Sequence, residues 1–334
     1  MPNAEHTLVV ISRRVVATDV VEFVLGPPTP PIPEWRPGAH IALGLPSGKT
    51  RDYSLIDGAP AGCVRIAVLH ERDGRGGSEE LHNSVMPGDT LTVMAVRNEM
   101  ELRPATDHLL IAAGIGITPL LSMARHLTAI GARWQLHYVG RSLPQMSYLD
   151  EIRDLANSAD GLASVHVVDR SELPRPHWPE IIERCTDDTV VYCCGPADLI
   201  TEVEALCDQR SLPVVTERFG RSARASSPSA PPVVTGDGTA TPIDPDGGFT
   251  VEFAQSGSVS EIPSDTSILE VARTLKPGLS FSCSDGYCGT CETAVIAGTP
   301  DHRDTVLSED EQAEGETMMI CVSRSRTARI VLDL

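Results

Sequence analysis

Four cysteines near the end of the chain are spaced for one kind of chemistry. Cys283, Cys288 and Cys291 form a C-x4-C-x2-C run, and Cys321 follows after 29 intervening residues. This is the ligand spacing of a plant-type [2Fe–2S] cluster, in which three thiolates come from one tight loop. Gly286 and Gly289 stand inside that loop, where glycine tolerates positive φ and lets backbone N–H groups approach the sulfurs. A zinc site more often uses paired C-x2-C knuckles, and the loop holds a single such pair. The cysteines predict a one-electron centre.

Other groups are suggestive without being decisive. Gly114-Ile-Gly116-Ile-Thr118-Pro119 follows an apolar strand and opens a helix, the setting for a pyrophosphate at a helix N-terminus. Its sixth position is Pro rather than the Gly of the Rossmann fingerprint, and Val139-Gly140-Arg141-Ser142 ends the next strand without an acidic residue. An ordinary tight turn fits the same residues. Cys193-Cys194-Gly195-Pro196 enters a later helix in the same way, and both turns fall at the edge of a parallel sheet where ligands bind. Arg51-Asp52-Tyr53-Ser54 could hold a flat anionic ligand, or be a half-exposed strand. Gly74-Arg75-Gly76-Gly77-Ser78 is either a phosphate nest at a helix start or a flexible loop. There is no nucleophile–base pairing, no H-E-x-x-H and no Cys-x-His pair of a Rieske centre, so the chemistry is assigned to cofactors that the protein orients.

Three blocks of sequence must position these groups. Over residues 1–105, short β segments at 7–16, 20–25, 39–45, 64–69 and 90–96 are cut by Pro27-Pro28, Pro37-Gly38, Pro46-Ser47-Gly48 and Pro87-Gly88-Asp89, a pattern that predicts a small antiparallel β-barrel. Over 106–222, strands at 108–113, 134–139, 164–168 and 189–194 alternate with helices at 119–130 and 197–209, which implies an α/β parallel-sheet domain. Thr118 is placed as N-cap of the first of these helices, Pro119 as its first residue and Gly131 as its terminator. Residues 223–247 are rich in Ser, Pro, Gly and Ala, too few of them large and apolar to pack, and read as a linker. Over 248–334, strands at 249–254, 292–296 and 328–332 surround the cysteine loop. A helix opened by the capping box Ser267-Ile268-Leu269-Glu270 presents Ile268, Ala272 and Leu275 on one side.

Bulk composition excludes several classes. A net charge of −19 argues against nucleic acid. No run approaches the ~20 apolar residues of a membrane helix, and no leader segment is visible at MPNAEHTLVV. Nine cysteines, bunched rather than spread, suit a reducing cytoplasmic setting.

With these residues in order, the sequence resembles the phthalate dioxygenase reductase family, which includes vanillate demethylase reductases and reductase modules fused to haem-thiolate monooxygenases. The resemblance implies a flavin barrel, a nicotinamide domain, a linker and a plant-type, β-grasp ferredoxin domain. It assigns Arg51, Tyr53 and Ser54 to an R-x-Y-S strand at FMN, with the Tyr and Ser at the ring and the Arg near the phosphate. Arg75, Gly76, Gly77 and Ser78 match the R-G-G-S loop around the FMN phosphate, and Ala67, Val68 and Leu69 match a strand lining the flavin. Gly114, Gly116, Thr118 and Pro119 match the turn beside the nicotinamide nucleotide, and Cys194, Gly195 and Pro196 the C-G-P element near its ring. Glu217-Arg218-Phe219 resembles an E-x-F whose Phe closes over the flavin. Ser54, Cys194 and Phe219 are thereby expected at the reacting centre.

What the resemblance implies is transfer of a hydride from NADH to FMN, then single electrons through the [2Fe–2S] cluster to a Rieske non-haem iron or haem-thiolate oxygenase. Arg141 would suit a 2′-phosphate, so NADPH stays open beside NADH. Residues 249–334 carry 14 acidic and 6 basic side chains, which leads us to expect a basic docking face on the oxygenase; the chain is expected to be a monomer. The rival readings are a ferredoxin-like electron carrier or redox sensor without NADH turnover, and a zinc-stabilised interaction module.

Overall fold

The computed structural model describes residues 6–27, 32, 34–60, 62–72, 76–218, 248–264, 266–276, 279, 281, 286, 289–304 and 306–334. They fall in two compact units, 1–220 and 221–334. The predicted linker 223–247, together with Arg75, Phe219, Cys283 and Cys288, lies outside the described residues.

The first unit begins with β1 (His6–Ala17), β2 (Val20–Leu25), β3 (Ala39–Gly44), β4 (Thr50–Ser54), β5 (Val64–Leu69), the helix α1 (Gly77–Ser84) and β6 (Thr90–Asn98). The strands form one antiparallel sheet in the order β4-β3-β6-β1-β2-β5. Alternating Val21, Phe23 and Leu25, with Leu8, Ile41, Leu43 and Ile66 from neighbouring strands, fill its interior. A lone bridge between Ile56 and Arg65 draws the β4 end toward β5. The sheet therefore curls almost into a barrel, while β4 remains an edge strand.

The chain then alternates β7 (Asp107–Ala113), α2 (Ile117–Ala129), β8 (Arg133–Gly140), α3 (Leu149–Asn157), β9 (Ala163–Asp169), α4 (Trp178–Glu183), β10 (Thr189–Gly195), α5 (Ala197–Gln209) and β11 (Val214–Arg218). The sheet is wholly parallel, ordered β11-β10-β7-β8-β9. Residues of α2 and α3 pack with Leu110 and Tyr138 on one face; those of α4 and α5 pack with Leu109 and Ile111 on the other. Every residue of β10 is buried, as a strand covered on both faces requires.

One predicted cap is corrected. Helix α2 starts at Ile117 with Gly116 as N-cap, because a 3₁₀ turn over Gly114–Gly116 runs straight into it. Thr118 is inside the helix and its hydroxyl donates to the Ile115 carbonyl (3.0 Å). Pro119 thus occupies the third helical position, where a missing N–H costs nothing. Gly131, at φ +68, ends the helix as expected.

Barrel and parallel sheet are pinned together by ions. Arg65 on β5, its side chain 9% exposed, bonds Glu151 of α3 through Nη2 (2.7 Å) and lies 3.5 Å from Glu22 of β2. Arg125 of α2 also reaches Glu151, and the Tyr148 hydroxyl donates to Glu22 (2.9 Å). Beside this knot, the buried Ser122 hydroxyl donates to the Leu55 carbonyl (2.9 Å).

The second unit contains β12 (Phe249–Phe253), β13 (Ser258–Ile262), α6 (Ile268–Leu275), β14 (Glu292–Ala297), β15 (Pro300–Asp301), α7 (Glu309–Glu314), β16 (Thr317–Met319), β17 (Arg324–Ser325) and β18 (Arg329–Leu332). Its mixed sheet runs β13-β12-β18-β14-β16. The capping box is present: Ser267 Oγ accepts from Glu270 N, and the Glu270 carboxylate from Ser267 N. Ile268 and Ala272 are buried, but Leu275, expected on the same face, is 47% exposed, since the helix stops there before the core covers its last turn.

Candidate functional site

Strand alternation sorts the motif on β4. Arg51 lies against the start of α1: a Cβ added to Gly77 would stand 2.6 Å from Arg51 Cγ and Nε. Lys49, two residues earlier, brings Nζ within 3.0 Å of the corresponding point on Gly76, whose φ is +78. Two cations therefore converge on a helix start, whose first N–H groups have no intrahelical acceptor, the setting that suits a phosphate. Ser78 Oγ accepts a hydrogen bond from Glu71 N (3.1 Å), joining the first turn of the helix to the residues just after β5. Tyr53 packs against the barrel core, and burial pushes its hydroxyl above the phenol range despite Arg51 nearby. On β5, Val68 joins the barrel core, whereas Ala67 and Leu69 face the parallel-sheet half of the unit.

Ser54 takes the opposite face from Arg51 and Tyr53. It pairs with His40 of β3, is 3% exposed, and its Oγ has no hydrogen-bond partner among the described residues. His40 Nδ1 lies 3.8 Å from Glu217 Oε1 on β11, and Glu217 stands opposite Cys194 of β10. Burial, with Glu99 and Asp52 adding repulsion, pushes the Glu217 carboxyl up to about 8, and its Oε2 is also without a hydrogen-bond partner among the described residues. Burial, then the nearby Glu217 and Cys193, holds Cys194 well above the thiol range, so it is a neutral thiol and not a thiolate nucleophile.

The two glycine turns touch. A Cβ on Gly116 would lie 2.1 Å from the Cys194 carbonyl oxygen, and one on Gly195 would lie 2.8 Å from Ala113 Cβ. Gly114 adopts φ +56, Thr118 and Pro119 are buried in the first turn of α2, and Pro196 caps α5. Arg141 is exposed just beyond β8. The acidic residue missing from the end of β8 stands one strand further on: Asp169, paired with Gly140, accepts from Leu143 N (3.0 Å) and Ser171 N (2.8 Å). Motif reading overlooked Asp169, His40 and Lys49. Lys49 was recoverable from alternation with Arg51; His40 carries no local signal, because only cross-strand pairing places it.

In the second unit Cys291 and Cys321 are 4% and 3% exposed. Pairing of Glu292 with Met319 continues through Ile320 N to the Cys291 carbonyl (3.4 Å), so the two thiols leave adjacent strand ends. Gly286 and Gly289 both take φ +77, and a Cβ on Gly286 would fall 2.5 Å from Val322 Cγ2, so Gly286 lies against the turn that carries Cys321.

The residues fit the groups that this arrangement implies. Orphaned polar atoms at Ser54 and Glu217 and a cationic helix start suit a flavin mononucleotide, and two touching glycine turns at a parallel-sheet edge suit a nicotinamide nucleotide. Buried paired cysteines beside positive-φ glycines suit an iron–sulfur cluster. Fold and site together define an NAD(P)H-dependent flavin iron–sulfur oxidoreductase using FMN, a nicotinamide nucleotide and a [2Fe–2S] cluster. The family models agree: residues 110–205 match the oxidoreductase NAD-binding domain and 252–326 the 2Fe-2S iron-sulfur cluster binding domain. The chain is 35% identical to phthalate dioxygenase reductase of Burkholderia cepacia over 332 residues, covering 98% of this chain and 97% of that one; it belongs to the phthalate dioxygenase reductase family. A solved phthalate dioxygenase reductase superposes with a TM-score of 0.83 at 33% identity, over 99% of this chain and 98% of that one. An intact type IV self-sufficient cytochrome P450 monooxygenase matches 99% of this chain with 41% of its own length, at 32% identity and a TM-score of 0.65. No helix among the described residues is long and apolar enough to cross a membrane.

Proposed function

We propose that this chain is the reductase of a terminal oxygenase, of either the Rieske or the haem-thiolate kind, and that it works with NADH in preference to NADPH. The observation that carries the reading is the pair of buried atoms, Ser54 Oγ and Glu217 Oε2, that have no hydrogen-bond partner among the described residues, on either side of the barrel–sheet junction. FMN, when bound, supplies the conversion of a two-electron hydride donor into single electrons, which the [2Fe–2S] cluster relays.

The chain's own residues bind and orient. Arg51, Gly76, Gly77 and Ser78, with Lys49 added and Arg75 retained from sequence, hold the FMN phosphate; Ser54, Ala67 and Leu69 face the ring, with Tyr53 at its edge and Val68 contributing through its main chain. Gly114, Gly116, Thr118, Pro119 and Arg141 receive the nucleotide. Cys194, Gly195 and Pro196 bound the nicotinamide, and Glu217 and Phe219 complete the junction. Close contact of Gly116 with Cys194 keeps the two turns in one register, and the neutral thiol adds no charge beside the ring. Cys283, Cys288, Cys291 and Cys321 hold the cluster. Preference for NADH is supported by Asp169, an anion at the sheet edge where a 2′-phosphate would approach. The names of the two structural relatives, one a dioxygenase reductase and the other a monooxygenase, support an oxygenase as acceptor. Domain limits of 1–105, 106–222 and 248–334, a basic docking face on the partner, a monomeric state and a cytoplasmic location complete the proposal.

Anaerobic mixing of the flavin-loaded protein with NADH, and separately with NADPH, tests it. Rapid bleaching of flavin and cluster absorbance by NADH, with slower bleaching by NADPH, is expected. No bleaching by either would leave only a carrier or sensor.

A further inference from the structure

Ser54, His40 and Arg97 form one rung across β4, β3 and β6, and residues directly opposite in a sheet share a face. That face meets Glu217, whose Oε1 is 3.8 Å from His40 Nδ1, with the two side chains 6% and 9% exposed. Several charged and titratable groups among the described residues stand around them. Glu217 is approached by Asp52 from β4, by Glu99 beyond β6 and by Cys194 from β10; His40 has Arg97 beside it. At this separation and burial, the charge of one group acts on the other across little water.

We propose that His40 is a positioning residue: it forms one proton-sharing couple with Glu217 and thereby sets the charge that this carboxyl presents at the barrel–sheet junction. The inference rests on the reading above that flavin and nicotinamide meet there. Burial, Asp52 and Glu99 all favour the neutral carboxyl. Protonated His40 opposes them, because an imidazolium 3.8 Å away stabilises the carboxylate. The couple passes from net neutral to net negative as one proton leaves, and that proton goes to solvent. Added negative charge disfavours electron density on a neighbouring ring, so the flavin midpoint potential falls more steeply with pH across this titration.

The test uses the FMN-loaded protein and two reciprocal variants. Infrared difference spectra followed against pH locate the protonated-carboxyl band of Glu217, identified by its loss in Glu217→Gln. His40→Asn is expected to move the disappearance of that band upward by about one pH unit or more. Glu217→Gln is expected to lower the NMR titration of the His40 imidazole by a comparable amount. A shift in neither, or in one without the other, overturns the couple, since linkage is reciprocal. Should His40→Asn fail to fold, the imidazole titration in Glu217→Gln decides alone. Bleaching by NADH with unshifted titrations would sink only the couple; absence of flavin binding in the unsubstituted protein would sink the functional reading instead.

Discussion

Gly116 rests directly on the main-chain carbonyl of Cys194, so closely that a methyl group at 116 would lie 2.1 Å from the oxygen. The contact joins the first turn of α2 to the end of β10, and both are backbone, so neither can rotate aside. Gly116→Ala is expected to cost about 1–3 kcal/mol and to raise the KM for NADH more than it lowers kcat. Denaturant melts with steady-state kinetics check both; unchanged stability would mean that the turns separate freely.

Arg65 holds two carboxylates at the barrel–sheet boundary. Arg65→Ala removes the cation shared by buried Glu22 and half-buried Glu151, leaving Glu22 with Arg14 and Glu151 with Arg125, and is expected to destabilise the first unit by about 1–3 kcal/mol. Burial works to raise the Glu151 carboxyl, but hydrogen bonds and charge from Arg65 and Arg125 outweigh it and hold the group below its ordinary value. A depressed carboxylate stabilises the fold above its unfolded pKa, and that contribution is lost as pH falls through the folded one. Acid unfolding that sets in below about pH 4.5 and is blunted in Glu151→Gln is the expected pattern; identical acid profiles would exclude it.

Much of this was legible in the linear sequence, and the limits have physical causes. The strand at 20–25 and the helix at 197–209 were found to the residue, because continuous apolar runs and a Gly-Pro entry leave little choice. The cap at Thr118 was misplaced because side-chain preference assigned a role that a 3₁₀ turn takes over. β13 was missed: Ser258–Ile262 alternates half-exposed and exposed residues until its last position, so its periodicity carries little apolar signal. His40 and Lys49 escaped for a different reason. Their proximity to Glu217 and Gly76 depends on which strands pair, and pairing is not written in any local window.

Glu217 gives the opposite pH signature from Glu151. Its carboxyl is raised from 4.5 to about 8 by burial and by Glu99 and Asp52, so its stabilising contribution is complete below the unfolded value and lost as pH rises through the folded one. Thermal stability is expected to decline between pH 5 and 8 by on the order of a few kcal/mol, with Glu217→Gln flattening the slope. Parallel profiles for the two proteins would show that the carboxyl does not titrate in that window.

Cys291→Ser removes one thiol of the buried pair. Loss of the cluster's visible absorbance and of single-electron delivery to an oxygenase is expected, while NADH-dependent reduction of a small dye persists near the unsubstituted rate. Loss of both activities would mean that the proposed order of electron flow is wrong.

Segment 249–334 bears 14 acidic against 6 basic residues. If the oxygenase docks through a basic face, electron delivery falls by about tenfold or more between low and physiological salt. Rates indifferent to ionic strength would remove that docking mode.

The ionic knot of Arg65, Glu22, Glu151 and Arg125 bears on how such reductases can be recombined. A chimera that takes residues 1–105 from one parent and the following segment from another separates Arg65 and Glu22 from Glu151 and Arg125, and works only if the second parent offers matching charges. A crossover beyond Arg218 leaves that quartet within one inheritance. The flavin and nicotinamide halves should therefore be exchanged as a single cassette, with the iron–sulfur segment as the interchangeable part.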